Sequence, residues 1–443
     1  MASTYLNKTF STTGDRQKFT LSMWVKRGIV PVGNQSGTER MLFNAYQDSG
    51  NQDQIWLQSN GTINYVRNNA NAVTPSQVLR DPAAWYHVVF AGDTTQGSNA
   101  DRLKVYINGT QAPIGQQDTI TQGSNFGAIN NAQLSTFGRR NGSNDWYFDG
   151  SMANIEMVDG QQYGPEYFGS TDTATGIWKP GGSSAISNYG TNGYKLKMDT
   201  TSPGADTSGN TNTFTASGTP TLTQGSPSNV YATLNSIDNI AASTFSNGNN
   251  TVATVSGNAA CNTSTIGALT GKWYWEVKMS AGENNSEAYI FGLVNQSPVV
   301  TGYDGSILAN GFGLRGDGNI NRGSVPGSVS GWNTVSVGNI VNVAIDFDNG
   351  KAYFGTNGVY GNSSNPSTAS NGYSFTVGDE FWRMAVNCRE TSKTGTFQCN
   401  FGEGFFGTTA AGINADDNGQ GLFAYDVPAG YYALNTKNLE AYG

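Results

Sequence analysis

The side chains able to do acid–base or nucleophilic chemistry in this chain are few and scattered. There is one histidine, His87, inside the apolar run Trp85-Tyr86-His87-Val88-Val89-Phe90. A catalytic histidine needs an acidic group orienting one ring nitrogen and a nucleophile at the other. No Gly-x-Ser-x-Gly turn supplies that nucleophile, so His87 reads as a core or strand-edge residue. A single histidine also excludes a zinc centre built on several histidines. Glycoside hydrolysis needs two carboxyl groups about 5 to 9 Å apart. Two acids on one strand share a face only at even spacing. Glu156 and Asp159 lack that spacing, and Glu276 has Tyr274 and Lys278 where a partner acid would stand. The residues point away from catalysis and toward binding.

Binding to sugars uses aromatic rings stacked on pyranose faces, with amides, carboxylates and guanidinium groups fixing the hydroxyls. Trp146 and Tyr147, beside Asn144 and Asp145, have these types in one loop before a strand. Burial as a plug at the end of a sandwich explains Trp146 as well, since most tryptophan is largely buried. Cys261, Cys388 and Cys399 match neither a disulfide framework nor a zinc pattern. They read as buried free thiols, although Cys388 and Cys399 could lie on neighbouring strands.

The composition describes what must hold these residues. Gly numbers 58 and only 13% of residues are charged, which favours short strands joined by tight polar turns. Aromatics reach 12% against 37% hydrophobic residues, so large rings supply much of the core. The net charge of −8 argues against binding nucleic acid, whose phosphates need Lys and Arg. The start, Met1-Ala2-Ser3-Thr4-Tyr5, has no secretory signal. No run approaches the roughly 18 apolar residues of a membrane span, so membrane insertion is not expected. No repeat of 20–50 residues and no heptad pattern is visible.

Strands are legible throughout the first half. Lys18–Lys26 alternates apolar and polar residues. Short strands follow at 41–43, 55–57, 62–66, 85–90, 103–109, 133–138 and 148–157. In the second half, Gly271-Lys272-Trp273-Tyr274-Trp275-Glu276-Val277 alternates, and Val343–Phe354 reads as a hairpin about Asp348-Asn349-Gly350. Asn357-Gly358 is a turn needing positive φ. The fold class expected is all-β, two tandem antiparallel β-sandwiches.

The motifs at 271–277 and 343–358 resemble the SPRY domain, a sandwich whose loops bind partners. In the first half, the ordered series Phe19–Lys26, Trp85–Phe90, Val105–Gly109 and Tyr147–Ile155 resembles a concanavalin A-like, laminin-G-type jelly roll. The joining series is Val158–Tyr163, Phe168–Asp172, Gly176–Pro180, Tyr189–Tyr194, Asp206–Asn210 and Pro227–Asn235. With the ending Tyr432–Leu439, it resembles laminin-G/SPRY proteins of tailed phages, notably marine ones.

The resemblance implies the following domains: 1–170, laminin-G/concanavalin A-like; 171–235, a joining segment packed partly on it; 236–407, SPRY-like; and 408–443, an irregular tail. Trp178 and Tyr194 are the anchors expected of the joining segment. The laminin-G resemblance raises Ca²⁺ as a ligand, with Asp145, Asp149, Asp199 and Asp206 as candidates, although turn formation explains the same residues. Concanavalin A-like folds also host glycosidases, whose Glu-x-Asp-x-x-Glu strand pattern is missing here. The SPRY resemblance implies a loop face holding Tyr303, Asp304, Arg315, Asp317, Arg322 and Trp332, and Trp332 could instead close its sandwich.

The function expected is non-enzymatic adhesion at a phage virion surface, in a fibre or receptor-binding position. Host glycans, other virion proteins and copies of itself are the partners, and the chain is made in the host cytoplasm. Capsid decoration is the alternative, and polysaccharide depolymerisation a more distant one.

Overall fold

The computed structural model describes residues 4–29, 39–182, 185–199, 202–240, 243–257, 259–295, 311–322 and 328–443. The chain divides into two compact units, Met1–Leu222 and Thr223–Gly443, so the boundary falls inside 171–235. Both units are antiparallel β-sandwiches.

In the first unit an eight-stranded sheet runs from edge to edge as Ile114–Gln117, Ala70–Pro75, Ile63–Arg67, Asn51–Leu57, Arg40–Asp48, Leu134–Phe137, Tyr5–Thr9 and Thr215–Ser217. A six-stranded sheet runs Tyr194–Leu196, Gly150–Asp159, Lys18–Arg27, Tyr86–Asp93, Leu103–Ile107 and Thr110–Gln111. Alternation along Lys18–Arg27 aims Phe19, Leu21, Met23 and Val25 into the core between the sheets. There they meet Phe43, Ile55, Tyr65 and Phe137 from the other sheet. Each such side chain contributes about 1.5–3 kcal/mol on burial.

The outward residues of Lys18–Arg27 are buried too, including Thr20, Ser22 and Trp24. The chain after Asp159 folds back over that side of the six-stranded sheet. Phe168 and Tyr189 pack on Val89 and Val158, with Tyr163 and Tyr167 beside them. Trp178 lies against Gly109 and Gly169, where an added Cβ would stand 2.5 and 2.6 Å from the indole, so both positions demand glycine. Tyr194 is enclosed in the core against Phe10, Phe137 and Phe214.

A carboxylate sits inside this core. Asp53 accepts hydrogen bonds from the Tyr65 hydroxyl at 2.5 Å and from the N–H groups of Gly127, Ala128 and Ile129 at 3.1, 2.6 and 2.7 Å. These four donors replace the water it has lost. Its pKa is raised nonetheless, because desolvation outweighs them.

In the second unit a seven-stranded sheet runs Leu234–Ile240, Ala260–Ala268, Trp382–Cys388, Tyr289–Val294, Gly311–Arg315, Ile320–Asn321 and Ser328–Val329. It packs on a nine-stranded sheet whose main path is Ser243–Ser246, Thr251–Thr254, Thr396–Asn400, Lys272–Ala281, Ile340–Asp346, Lys351–Thr356 and Val359–Tyr360. Phe291 meets Phe397 across the two at 5.6 Å, edge to face. Asn357 and Gly358 join the last two strands with φ of 51° and 81°, the two-residue turn expected from their types.

The last residues are ordered structure rather than the irregular tail expected. Tyr432–Ala433 pairs in parallel with Trp273 and Tyr274, and Thr436–Tyr442 is helical, its first turn capped by the Asn435 side chain. Phe423, Tyr431 and Ala433 pack on Tyr274, Ala344 and Tyr353. Glu276 fastens this segment from the strand beneath. Its carboxylate accepts from the N–H groups of Ala424 and Tyr425 at 2.9 Å each and from the Tyr274 hydroxyl at 2.9 Å. The aromatic strand and the chain end therefore form one layer.

The three cysteines are free and buried. Cys388 and Cys399 belong to different sheets, which corrects the idea of neighbouring strands. Burial raises the thiol pKa of all three.

Candidate ligand-binding face

Residues 138–148 double back as an irregular hairpin, closed by hydrogen bonds from Phe148 N–H to Gly138 O at 3.0 Å and from Arg140 N–H to Asp145 O at 3.0 Å. It is fixed to the eight-stranded sheet through Asn141. The Asn141 N–H donates to Asn44 Oδ1 at 2.8 Å, and its Nδ2 donates to Thr136 Oγ1 at 3.0 Å. Asn44 and Thr136 have no solvent exposure, so this polar join is enclosed.

The hairpin presents aromatic and cationic groups on two flanks. On one, the Arg140 guanidinium lies 3.8 Å over the Trp146 ring, and Trp146 meets Trp56 edge to face at 5.4 Å. Arg140 also makes a two-pronged ion pair with Asp145, at 2.7 and 2.5 Å. On the other flank Arg139 lies 3.8 Å over Tyr5, and Tyr147 stands 6.4 Å from Tyr5. All of these side chains are half-buried.

Trp146 has a φ of 51°. A left-handed backbone costs a bulky residue roughly 1–2 kcal/mol, and such strain in a folded chain marks candidate functional positions. Trp146 and Tyr147, singled out in the sequence, thus sit together with Asp145. Tyr5 and Trp56 were not anticipated, because strand pairing rather than sequence proximity brings them to the hairpin, and Arg139 and Arg140, within the hairpin itself, were passed over.

The second group of candidates gathers about the turn after Gly311–Arg315, where Trp332 N–H donates to Gly318 O at 3.1 Å, but its described side chains are engaged within the fold. Tyr303 and Asp304 lie outside the described residues. Arg315 pairs with Asp317 and, at 2.8 Å, with Glu287. Glu287 also takes Arg389 at 2.7 Å, so this is an ion-pair network. Arg322 follows the short strand Ile320–Asn321. Trp332 is only 6% exposed and meets Phe354 edge to face at 5.8 Å, so it closes the sandwich and has no open ring face for a ligand.

Two of the calcium candidates, Asp145 and Asp206, do not fit the ion. Both Asp145 oxygens are engaged by Arg140. Asp206 organises its own turn, accepting from the N–H groups of Lys195, Ser208 and Asn212 at 2.9, 2.8 and 2.7 Å. A cation needs oxygens pointing at it with lone pairs free, whereas these lone pairs already face N–H donors. Asp149 meets Gly28 through its backbone carbonyl at 2.8 Å, and Asp199 is exposed. Among the described residues no group of three or more His, Cys, Asp or Glu is placed to hold a metal.

The groups considered for catalysis are committed elsewhere. His87 is fully buried, with Trp24 stacked at 4.8 Å and Trp178 at 6.0 Å. Its Nε2 lies 2.8 Å from Ser22 Oγ, and its Nδ1 accepts from the Trp178 indole N–H at 2.9 Å. Indole nitrogen only donates, so the neutral imidazole carries its proton on Nε2 and donates to Ser22. It cannot at the same time take the serine proton. Glu156 holds Lys195 at 2.9 Å and the Tyr189 hydroxyl at 2.6 Å. Asp159 accepts from the N–H groups of Asp15 and Asn192 at 2.8 and 2.9 Å.

Residues 2–161 match the family model described as the concanavalin A-like lectin/glucanases superfamily, a laminin-G model. No curated protein matches the chain. Three similar solved structures illustrate its structural relatives. The SPRY domain of human HERC1 shares 13% identity over 38% of this chain and 96% of its own, at a TM-score of 0.31. A putative carbohydrate binding protein from Bacteroides ovatus shares 15% over 49% of this chain and 58% of its own, at 0.32. Domains LG4-5 of the mouse laminin α1 chain share 9% over 90% of this chain and 88% of their own, at 0.27.

Proposed function

We propose that this protein is a non-enzymatic adhesion protein that binds glycans through the Trp56–Trp146–Arg140 flank of its first unit. The observation that carries the reading is Trp146. It is half-buried, held at a φ of 51°, and placed between a guanidinium and a second tryptophan. Paired aromatic rings with planar donors beside them suit the apolar face and hydroxyl edge of a sugar. The lectin-related family model over the first unit supports the same reading. So do the commitments of His87, Glu156, Asp159 and Glu276 to bonds within the fold, which leave these groups for structure rather than turnover.

The resemblance of the joining series and the chain end to tailed-phage proteins supports a particular setting. In it, the protein is made in the host cytoplasm and displayed on the virion, where copies of it and other virion proteins are its neighbours. Many shallow sites on one particle then act through avidity.

Binding of the full chain to a glycan array tests the molecular part. Retention that falls at least tenfold on Trp146→Ala, with the fold intact by circular dichroism, supports it; undiminished retention refutes the assigned face. Immunogold localisation tests the setting. Tail-tip label supports attachment, label over the whole head makes decoration the principal role, and absence from purified virions overturns the virion reading.

A further inference from the structure

Arg139 differs from its neighbour. Arg140 is neutralised by Asp145. Arg139 has no carboxylate within ion-pair distance among the described residues, in a chain with 32 acidic residues. Its guanidinium is nevertheless held still. It stacks on Tyr5, and its Nη2 donates to Asn141 Oδ1 at 3.0 Å. Asn141 is itself fixed by Thr136 and Asn44. The Arg139 Nε is buried without an acceptor. This leaves Nη1 and the second hydrogen of Nη2 with no protein acceptor among the described residues.

A half-buried guanidinium whose charge no acid balances, and whose orientation is already fixed, is prepared for a planar oxyanion. Its parallel N–H groups match a carboxylate two to two, and the ordering cost is met before the ligand arrives. Tyr5 and Tyr147 add half-buried aromatic surface beside it.

We infer that the Tyr5–Arg139–Tyr147 flank is a second subsite that selects acidic glycans, with Arg139 clamping a sugar carboxylate. The inference rests on the glycan-binding reading above and names the class of ligand. A sulfate ester has related chemistry, and the test separates the two.

The experiment compares the full chain with Arg139→Gln and Arg139→Lys on an array of matched oligosaccharides: uronic-acid-containing, carboxyl-reduced and sulfated members of the same backbones. The expected result is preference for the carboxylated members. That preference falls about tenfold or more in Arg139→Gln, as for a lost charged hydrogen bond. Arg139→Lys loses part of it, because it keeps charge without the fork. Circular dichroism and an unshifted Tm show that both variants remain folded. Preference for sulfated over carboxylated members, acidic binding indifferent to Arg139, or no acidic preference would each overturn the inference while leaving glycan binding standing. Failure of the wild type to bind any member would overturn both.

Discussion

The indole N–H of Trp178 donates to Nδ1 of His87 at 2.9 Å, joining the chain beyond the six-stranded sheet to the strand Tyr86–Asp93. The bond fixes the tautomer of the only histidine and makes its protonation costly, since a protonated Nδ1 could no longer accept.

Burial pushes the His87 pKa down to about 3. An unfolded histidine takes a proton near pH 6.5. Between these values the unfolded state holds one more proton than the native state at this site. The contribution of His87 is therefore fully present above about pH 6.5 and is lost as pH falls toward 3, at up to about 1.4 kcal/mol per pH unit. Denaturant unfolding at several pH values, for wild type and His87→Gln, checks this. The difference between the two cancels the buried acids common to both and should slope in this direction. Parallel curves would contradict it.

Trp146 makes an unusual stability prediction. Replacing it with alanine removes packing and keeps a Cβ in the left-handed region, whereas glycine removes the packing and relieves the strain. Trp146→Gly should be more stable than Trp146→Ala by about 1 kcal/mol, with both defective in glycan binding. Urea unfolding midpoints of the two variants decide it. Equal stability would mean that the φ of 51° carries no strain.

Asp53→Asn should destabilise the first unit. The amide brings N–H hydrogens against donors that now converge on carboxylate oxygens. The expected cost is about 1–3 kcal/mol, as for buried donors left without an acceptor. A fall in Tm of more than a few degrees, with the second unit's transition unmoved, is the outcome to look for by calorimetry.

Glu276→Gln acts on the second unit. It weakens the hold on Ala424 and Tyr425, so the chain end should open locally before the sheet melts. Limited proteolysis should gain cuts around residues 412–430 in the variant. Calcium, by contrast, should not act through Asp145 or Asp206, whose lone pairs are taken: Asp145→Asn and Asp206→Asn should leave any effect of excess Ca²⁺ or a chelator on Tm as it is in the wild type.

Features whose cause is local were legible in the sequence. Alternation placed Lys18–Arg27 and Lys272–Ala281, and Asn357-Gly358 gave its turn from residue type alone. Trp146 and Tyr147 were picked out as aromatics beside Asn144 and Asp145 in a loop before a strand. What escaped the sequence is produced by pairing. Tyr5 reaches Arg139 because Tyr5–Thr9 lies beside Leu134–Phe137, and Trp56 reaches Trp146 because the hairpin folds onto the sheet. Sequence left Trp332 between a ligand face and a plug, and its burial against Phe354 favours the plug. Asp53, one carboxylate among glutamines, carried no sign that four donors would surround it.

Hydrogen–deuterium exchange of the full chain, with and without the tightest glycan from the array, decides whether the first-unit hairpin is the binding face. Glycan should protect 51–57 and 138–148 in the first unit, an effect abolished by Trp146→Ala, and should leave 311–335 unprotected. Protection confined to the second unit, or a glycan-bound chain with 138–148 exchanging as freely as before, would contradict that placement.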